Sequence, residues 1–352
     1  MTISRPFVVA MFTGLFLGMA GMYAFFGDHF TATGGFKAPE GEGEAAWFER
    51  IQEIGGKRAY EEFSESLRPL SREQQHAKAH EFGAALFHAE GEQGLAVCDS
   101  QFSFGCFHEF LGRAIGESGL PVVERLNEGC RIVMSNNVLA CQHGIGHGVL
   151  AAIGYESSDL DKALETCAKL PYIDPIGGCY GGVFMEYNVR TMLGADASAR
   201  EDEGGPLQPC NRLPADFRHA CFYWQPQWWE QYIFRGEYSP ETHARMGEFC
   251  LEVGSAADRR ACFEGVGNIT ATAARYEGAR AAELCDAVSD KEVHRTLCRS
   301  VAANHLGLEK GEEDAARACA GLSEDSEEYC LKHASNIANI ANLIPLPHQT
   351  EI

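Results

Sequence analysis

The sequence predicts an all-α fold, an α-solenoid of about seven to eight disulfide-stapled helical hairpins preceded by one N-terminal transmembrane helix. The 14 cysteines of the 352-residue chain form seven successive pairs with a mean period of about 37 residues, which is typical of stacked helical hairpins. Segments between the pairs are rich in Ala, Glu, Arg and Leu, which are strong helix formers. A long apolar run near the N-terminus matches the length of a membrane span.

The N-terminal segment is predicted to be a signal anchor. Arg5 precedes an apolar run over residues 7–26 that only Thr13 and glycines interrupt, and a run of this length spans roughly 30 Å of hydrocarbon. A cleaved signal peptide is the alternative, but the apolar character continues beyond the small residues at 18–20. We therefore predict a transmembrane helix over 1–27 that anchors the protein in the inner membrane. The rest of the chain would be extracytoplasmic, in the periplasm, because Arg5 stays on the cytoplasmic side.

Three elements are predicted between the anchor and the first cysteine. Residues 28–44 form a flexible acidic and glycine-rich linker. Ser71 caps a helix that runs to about residue 88, since Gln74 follows three residues later as in a capping box. An amphipathic helix over 45–67 lies between them, and its apolar side chains are Trp47, Ile51, Ile54, Tyr60 and Phe63.

Seven disulfides are predicted, one across the turn of each hairpin. The first cysteine of a pair ends helix A and the second begins helix B, with turn-forming Pro, Gly, Asp or Ser between them. Thiolate metal binding is the alternative, but the chain contains no Cys-x-x-Cys motif. Disulfides require an oxidising compartment, in agreement with export. The pairs are Cys98–Cys106, Cys130–Cys141, Cys167–Cys179, Cys210–Cys221, Cys250–Cys262, Cys285–Cys298 and Cys319–Cys330.

The repeat domain is predicted over 45–343, with a histidine-rich part at 45–190 and C-terminal repeats at 191–343. Residues 344–352 form a tail. The chain carries a formal charge of −21, which argues against binding to nucleic acid or to anionic lipid through the exported part. The membrane would be contacted through the N-terminal helix alone.

Five histidines occupy equivalent positions when the repeats are aligned on the second cysteine of each pair. The positions lie two and six residues after that cysteine and therefore share one helix face, and Gln74 takes the place of the cysteine in the upstream repeat. Neighbouring helices pack about 8–10 Å apart, a gap that two imidazoles can close around one ion. A polar face on which these histidines only form hydrogen bonds is the alternative. The predicted metal or haem site consists of His76, His80, His108, His143 and His147.

Two carboxylates lie in register with these histidines. Imidazole ligands with carboxylates nearby suit zinc, copper or non-haem iron. Glu109 and Glu186 are each candidates for a metal ligand, an orienting partner of a ligand, or a catalytic proton acceptor. In a hydrolytic reaction the metal would lower the pKa of a bound water and a glutamate would take its proton. The sequence leaves open whether the protein is an enzyme.

Three glycines separate the residues of one histidine motif. Gly144, Gly146 and Gly148 each cost about 1 kcal/mol of helix propensity relative to alanine, so something is expected to approach the backbone closely there. One interpretation is a cofactor that rests on these glycines. The other is a neighbouring helix that packs against them, and the sequence does not separate the two.

The motifs carry two resemblances. Over about residues 95–341 the cysteine-paired hairpins resemble the disulfide-stapled Sel1-like repeat proteins exported by some bacteria, although the Sel1 glycine and alanine consensus is not kept. This resemblance implies a right-handed α-solenoid that serves in protein interaction. The segment Cys141-Gln-His-Gly-Ile-Gly-His-Gly148 is similar to motifs of uncharacterised exported bacterial proteins, which implies a family-level site.

A second functional hypothesis is therefore an interaction scaffold without metal or catalysis. Polar residues occupy the aligned positions in the C-terminal repeats as well, and they form a ladder that would bind a protein or peptide partner on the concave face. The ladder consists of Glu264, Asn268, Asn304 and Asn336.

Overall fold

The protein is all-helical, as predicted. The computed structural model describes residues 43–335 apart from 100, 134–137, 172–173, 175 and 193–197. These residues form 15 α-helices and no β-strand, with one isolated antiparallel bridge between Val189 and Ala199. The predicted anchor at 1–27, nearly all of the linker at 28–44 and the tail at 344–352 lie outside the described residues. Of the helices described, none combines the length and the apolar character that a membrane crossing requires.

The first two helices correct one prediction. The helix expected over 45–67 is two helices, α1 (Glu44–Ile54) and α2 (Gly56–Leu67). They are separate because Gly55 adopts φ +82° and ψ 151°, a conformation that L-residues rarely take and that ends the first helix. Helix α3 (Arg72–Glu90) begins as predicted, with a capping box in which Ser71 and Gln74 bond each other's backbone N–H groups.

The remaining helices follow in hairpins. They are α4 (Gly105–Ser118), α5 (Val123–Val133), α6 (Val138–Ile153), α7 (Ser157–Ala168), α8 (Cys179–Asn188), α9 (Ala215–Trp228), α10 (Pro240–Leu251), α11 (Ala256–Ala273), α12 (Gly278–Asp286), α13 (Glu292–Lys310), α14 (Glu312–Cys319) and α15 (Glu324–Ser335).

All seven predicted disulfides are present, and together they take up every cysteine of the chain. All 14 cysteines are buried, so the bridges form part of the core between the two helices of each hairpin. In five pairs the first cysteine lies in the last turns of an α-helix, as expected. In the first and fourth pairs the expected helix A is instead a short 3₁₀ turn, at Gly91–Ala96 and at Cys210–Arg212.

Nine helices form a continuous row in which each helix contacts the next. The row consists of α1, α3, α4, α6, α8, α9, α11, α13 and α15, so that after α1 it contains the second helix of every hairpin. The other helices contact their own hairpin partners beside it. Because α3, α4, α6 and α8 are consecutive members, residues far apart in sequence meet along one side of the row.

Glycines set the close spacing of this row. A Cβ atom at Gly83 would lie 2.4 Å from the carbonyl oxygen of Cys106, and at Gly267 the corresponding distance to Cys298 is 2.2 Å. Gly146 repeats the contact, 2.0 Å from the carbonyl oxygen of Cys179. In three places, therefore, a glycine of one row helix lies against the second cysteine of the next hairpin, and a larger residue there would push the helices apart.

Candidate functional site

The structure brings the five predicted histidines into one cluster. Helix α3 carries His76 and His80, α4 carries His108, and α6 carries His143 and His147. The ring centroids are 4.7 Å apart for His76 and His80, and 5.0 Å apart for His143 and His147. His108 lies between the two pairs, 6.1 Å from His80 and 5.0 Å from His147. We call this set the histidine cluster.

The outer part of the cluster has the spacing of a metal site. His76, His80 and His108 each offer one ring nitrogen, and these three atoms all lie within 4.8 Å of one another. All three side chains are partly buried between neighbouring helices.

Hydrogen bonds determine which nitrogen carries the proton in the rings of His76 and His80, the outer pair of the cluster. His76 Nδ1 lies 2.8 Å from the carbonyl oxygen of Phe102, which can only accept, so Nδ1 is the donor and Nε2 bears a lone pair. His80 Nδ1 donates in the same way to the Glu109 carboxylate at 3.3 Å. The two Nε2 atoms then face each other at 3.1 Å. Two lone pairs at this distance repel unless a cation lies between them.

Hydrogen bonds from Nδ1 also orient His143 and His147, the inner pair of the cluster. His143 Nδ1 donates to the carbonyl oxygen of Gly177 at 2.9 Å, and its Nε2 lies 3.4 Å from the sulfur of Met185. His147 Nδ1 donates to Glu186 at 2.9 Å. Its Nε2 has no hydrogen-bond partner among the described residues although the side chain is only 1% exposed. Four of the five imidazoles therefore hold Nδ1–H outward and an Nε2 lone pair inward.

The cluster favours neutral imidazoles. Burial, together with the charges that the other four histidines would carry, lowers the pKa of His108 well below its usual range. Burial and the neighbouring His147 lower the pKa of His143 to about 3, against a small opposing effect of the Gly177 carbonyl. Burial also lowers the pKa of His76. At neutral pH these rings are uncharged and their lone pairs are available as ligands.

Glu186 is saturated with hydrogen bonds. Besides His147, its buried carboxylate accepts from the Tyr155 hydroxyl at 2.7 Å and from the Met192 backbone N–H at 3.0 Å. The Thr191 hydroxyl is a further donor to it. Each oxygen thus receives two hydrogen bonds, which leaves no free lone pair for a metal or a substrate proton. The contacts suit a residue that orients the His147 ring.

Glu109 is arranged similarly at the outer pair. One of its oxygens accepts from His80, and the other accepts from Arg113 at 2.7 Å. Burial alone would raise the pKa of this carboxyl, but the hydrogen bonds from His80 and Arg113 lower it on balance. Glu109 is therefore ionised and holds the His80 ring with Nε2 directed at His76.

The three motif glycines contact protein. A Cβ atom at Gly144 would lie 2.6 Å from Leu111, and one at Gly148 would lie 2.8 Å from Ile115, both on helix α4. At Gly146 it would meet the backbone of helix α8. The space beside each glycine is filled by a neighbouring helix, which supports the packing interpretation and leaves no room for a cofactor to rest there.

The polar ladder of the C-terminal repeats is largely internal. Glu264 is 2% exposed and accepts from Arg260 at 2.8 Å. Asn304 is 5% exposed and donates to the carbonyl oxygen of Ala334 at 3.2 Å. Asn268 lies partly buried on α11, and Asn336 lies outside the described residues. The Asn304 contact joins α13 to α15, whereas the Glu264 contact lies within α11, so both side chains have partners inside the protein.

The site also contains residues that sequence reasoning did not single out. Arg113, Tyr155 and Thr191 support the carboxylates, and the carbonyl groups of Phe102 and Gly177 fix two rings; none of these five carries a pattern that marks it. Met185 is different, because it occupies the same aligned position as His147, six residues after the second cysteine of its repeat. The alignment therefore contained a signal for Met185.

Comparison with known proteins identifies no related protein. No protein-family model matches the chain, and neither a curated protein nor a solved structure gives a significant match.

Proposed function

We propose that this protein binds a transition-metal ion at the histidine cluster. The observation that carries the proposal is the pair of Nε2 lone pairs of His76 and His80, which face each other at 3.1 Å while both Nδ1 atoms are occupied. Two nitrogens on one tetrahedral ion, at bond lengths of about 2.0–2.1 Å, are roughly 3.3 Å apart. His108 supplies the third nitrogen, and the fourth position stays open to water or to cargo.

The surroundings favour a metal ion, rather than a shared proton, between the Nε2 atoms of His76 and His80. Glu109 receives the Nδ1–H of His80, the carboxylate–histidine arrangement that commonly fixes the orientation of a metal ligand. A shared proton would place charge on rings that already resist protonation, since burial lowers the pKa of His76 and of His108. Zinc, copper and non-haem iron all accept such ligands.

A bare ion suits the cluster better than haem, and binding suits it better than hydrolysis. Three of the ring-centroid distances are only 4.7–5.0 Å, and imidazoles packed this closely suit a small ion between their nitrogens. Glu186 already accepts two hydrogen bonds at each oxygen and so has no lone pair left for a proton from a metal-bound water, and Glu109 is engaged by both His80 and Arg113. We therefore favour a function in the storage, buffering or delivery of a metal ion over a function in catalysis.

We further propose that the helical row is a right-handed α-solenoid exported to an oxidising compartment and anchored in the inner membrane by residues 1–27. The pairing of all 14 cysteines supports the compartment, because cytosolic thiols stay reduced. The interaction scaffold remains the alternative prediction. No contact of the ladder favours it, since Glu264 and Asn304 have partners within the protein.

Replacement of His80 tests the proposal. The full-length His80→Gln protein, made in an oxidising host, is expected to bind Zn²⁺ more than about 100-fold more weakly, a larger loss than that of an orienting partner. The measurements are elemental analysis and zinc titration by calorimetry. His88→Gln is the matched control on the same helix, because both His88 nitrogens already contact carboxylates, of Glu44 and Glu117. Equal zinc affinity of the two variants, or no binding by the wild type, would refute the proposal.

Glu186→Gln tests the orientation of His147. An amide nitrogen in place of the Glu186 oxygen would face His147 Nδ1–H, so the ring is expected to move its proton to Nε2 and to lose its inward lone pair. The ¹⁵N NMR shifts of His147 report this tautomer directly. Glu186→Asp keeps the carboxylate and should retain the wild-type tautomer. A proton that stays on Nδ1 in the glutamine variant would contradict the assigned role.

A further inference from the structure

The contact between His143 and Met185 is not a hydrogen bond. His143 Nε2 lies 3.4 Å from the Met185 sulfur, yet the proton of this ring is on Nδ1, which donates to Gly177. A thioether carries no proton either. Two electron-pair donors therefore face each other, as they do at His76 and His80, and an electrophile between them would satisfy both.

A third donor lies one helical turn away, with its ring centroid 5.0 Å from that of His143. His147 follows His143 by four residues on α6, and its buried Nε2 has no partner among the described residues. The ring of Trp224 lies 5.3 Å from that of His143, and its indole N–H donates to the carbonyl oxygen of Ile176. Two imidazoles and one thioether thus lie side by side, with His147 buried and with His143 and Met185 partly buried.

Two glycines of α8 allow Met185 to reach His143. Gly181 lies one turn before Met185 on α8, and a Cβ atom at Gly181 would lie 3.1 Å from His143 Nδ1 and 2.9 Å from the indole nitrogen of Trp224. At Gly182 it would lie 1.9 Å from the carbonyl oxygen of His143. The two glycines allow α8 to approach α6 closely enough for the sulfur to reach the imidazole.

We propose that His143, His147 and Met185 form a second metal subsite that selects Cu(I), an inference that rests on the metal binding proposed above. Thioether sulfur is a soft ligand that favours Cu(I) over zinc. Imidazole and thioether donors are neutral ligands, and the carboxylate of Glu186 contacts His147, so a single positive charge is balanced. Burial of a divalent ion would cost more, since the desolvation penalty rises with the square of the charge. Every cysteine is in a disulfide, so thiolates do not compete for the ion.

The test compares Cu(I) and Zn²⁺ on the same variants of the full chain. Cu(I) affinity is measured by competition with a chromophoric chelator under anaerobic, non-thiol reducing conditions that leave the disulfides intact. Met185→Leu is expected to weaken Cu(I) binding about 10–100-fold and to change zinc binding less than twofold. Met246→Leu is the matched control, because Met246 is fully buried on α10, away from the histidine cluster.

The outcomes separate this inference from the proposed function. If zinc binds and is lost in His80→Gln, but Met185→Leu leaves Cu(I) affinity within twofold of wild type, the thioether subsite is wrong and the metal proposal stands. If the wild type binds neither ion, both fail. X-ray absorption at the copper edge of the wild type gives a second measurement, independent of how the variant folds. A sulfur scatterer is expected there, and a shell of nitrogen and oxygen alone would overturn the inference.

Discussion

Reduction of the seven disulfides is expected to unfold this protein at 25 °C. The bridges close loops with sequence separations of 8 to 13 residues, and the chain-entropy model assigns each about 2.5–3 kcal/mol. Together they contribute roughly 20 kcal/mol in that model, more than the 5–15 kcal/mol net stability typical of a folded domain. All seven are buried, so their reduction also places pairs of thiols in the core where a covalent bond had been.

Far-UV circular dichroism during titration with a phosphine reductant in mild denaturant follows this unfolding. Single bridges provide the control. Replacement of Cys319 and Cys330 by serine should be the milder change, since this bridge closes the last described hairpin of the row. Replacement of Cys167 and Cys179 should also disturb Cu(I) binding, since Cys179 begins the helix that carries Met185 and Glu186. A fully reduced chain that keeps its helicity and a cooperative melting transition would contradict the prediction.

Gly146→Ala is expected to be one of the most damaging single methyl additions near the histidine cluster. The new Cβ would lie 2.0 Å from the carbonyl oxygen of Cys179 and 2.7 Å from the backbone nitrogen of Val183. Both are backbone atoms of α8, so no side-chain rotation relieves the overlap and the helix itself must move. We expect a loss of about 3 kcal/mol in the free energy of unfolding, at the upper end of overpacking effects.

Gly116→Ala is the matched control for this change. Gly116 lies on α4, is exposed, and has no atom near the position of an added Cβ. Alanine there should stabilise the protein by about 0.5–1 kcal/mol through helix propensity. Urea denaturation of the two variants measures both effects. If Gly146→Ala were as stable as wild type, the close approach of α6 and α8 would be wrong, and with it the placement of Met185 beside His143.

The predictions that succeeded depend on local sequence. When two cysteines are separated only by a short turn, the simplest bridge joins them to each other, and each observed bridge closes within its own hairpin. The Ser71 capping box likewise involves residues three apart. The histidine register was also readable, because positions four apart share a helix face and repeats place equivalent faces side by side.

The errors arose where a backbone conformation or a tertiary contact decides. Gly55 breaks the first helix through a positive φ angle that an amphipathic pattern does not reveal. The helix expected before Cys210 is a 3₁₀ turn, although the spacing of its cysteine pair resembles that of the others. Gly146 could have faced a cofactor or a helix, and only the position of α8 separates the two.

The sequence alone therefore determined the helical class, the disulfide pairing and which histidines share a face, because each depends on spacing along one hairpin or on its repetition. The tertiary structure decided what each side chain does. It turned Glu186 into an orienting partner by surrounding it with four donors from three segments of chain, and it placed the sulfur of Met185 against His143. Hydrogen-bond direction and the approach of two helices depend on how separate helices are assembled in the row. The periodicity of residues along one helix therefore does not predict them.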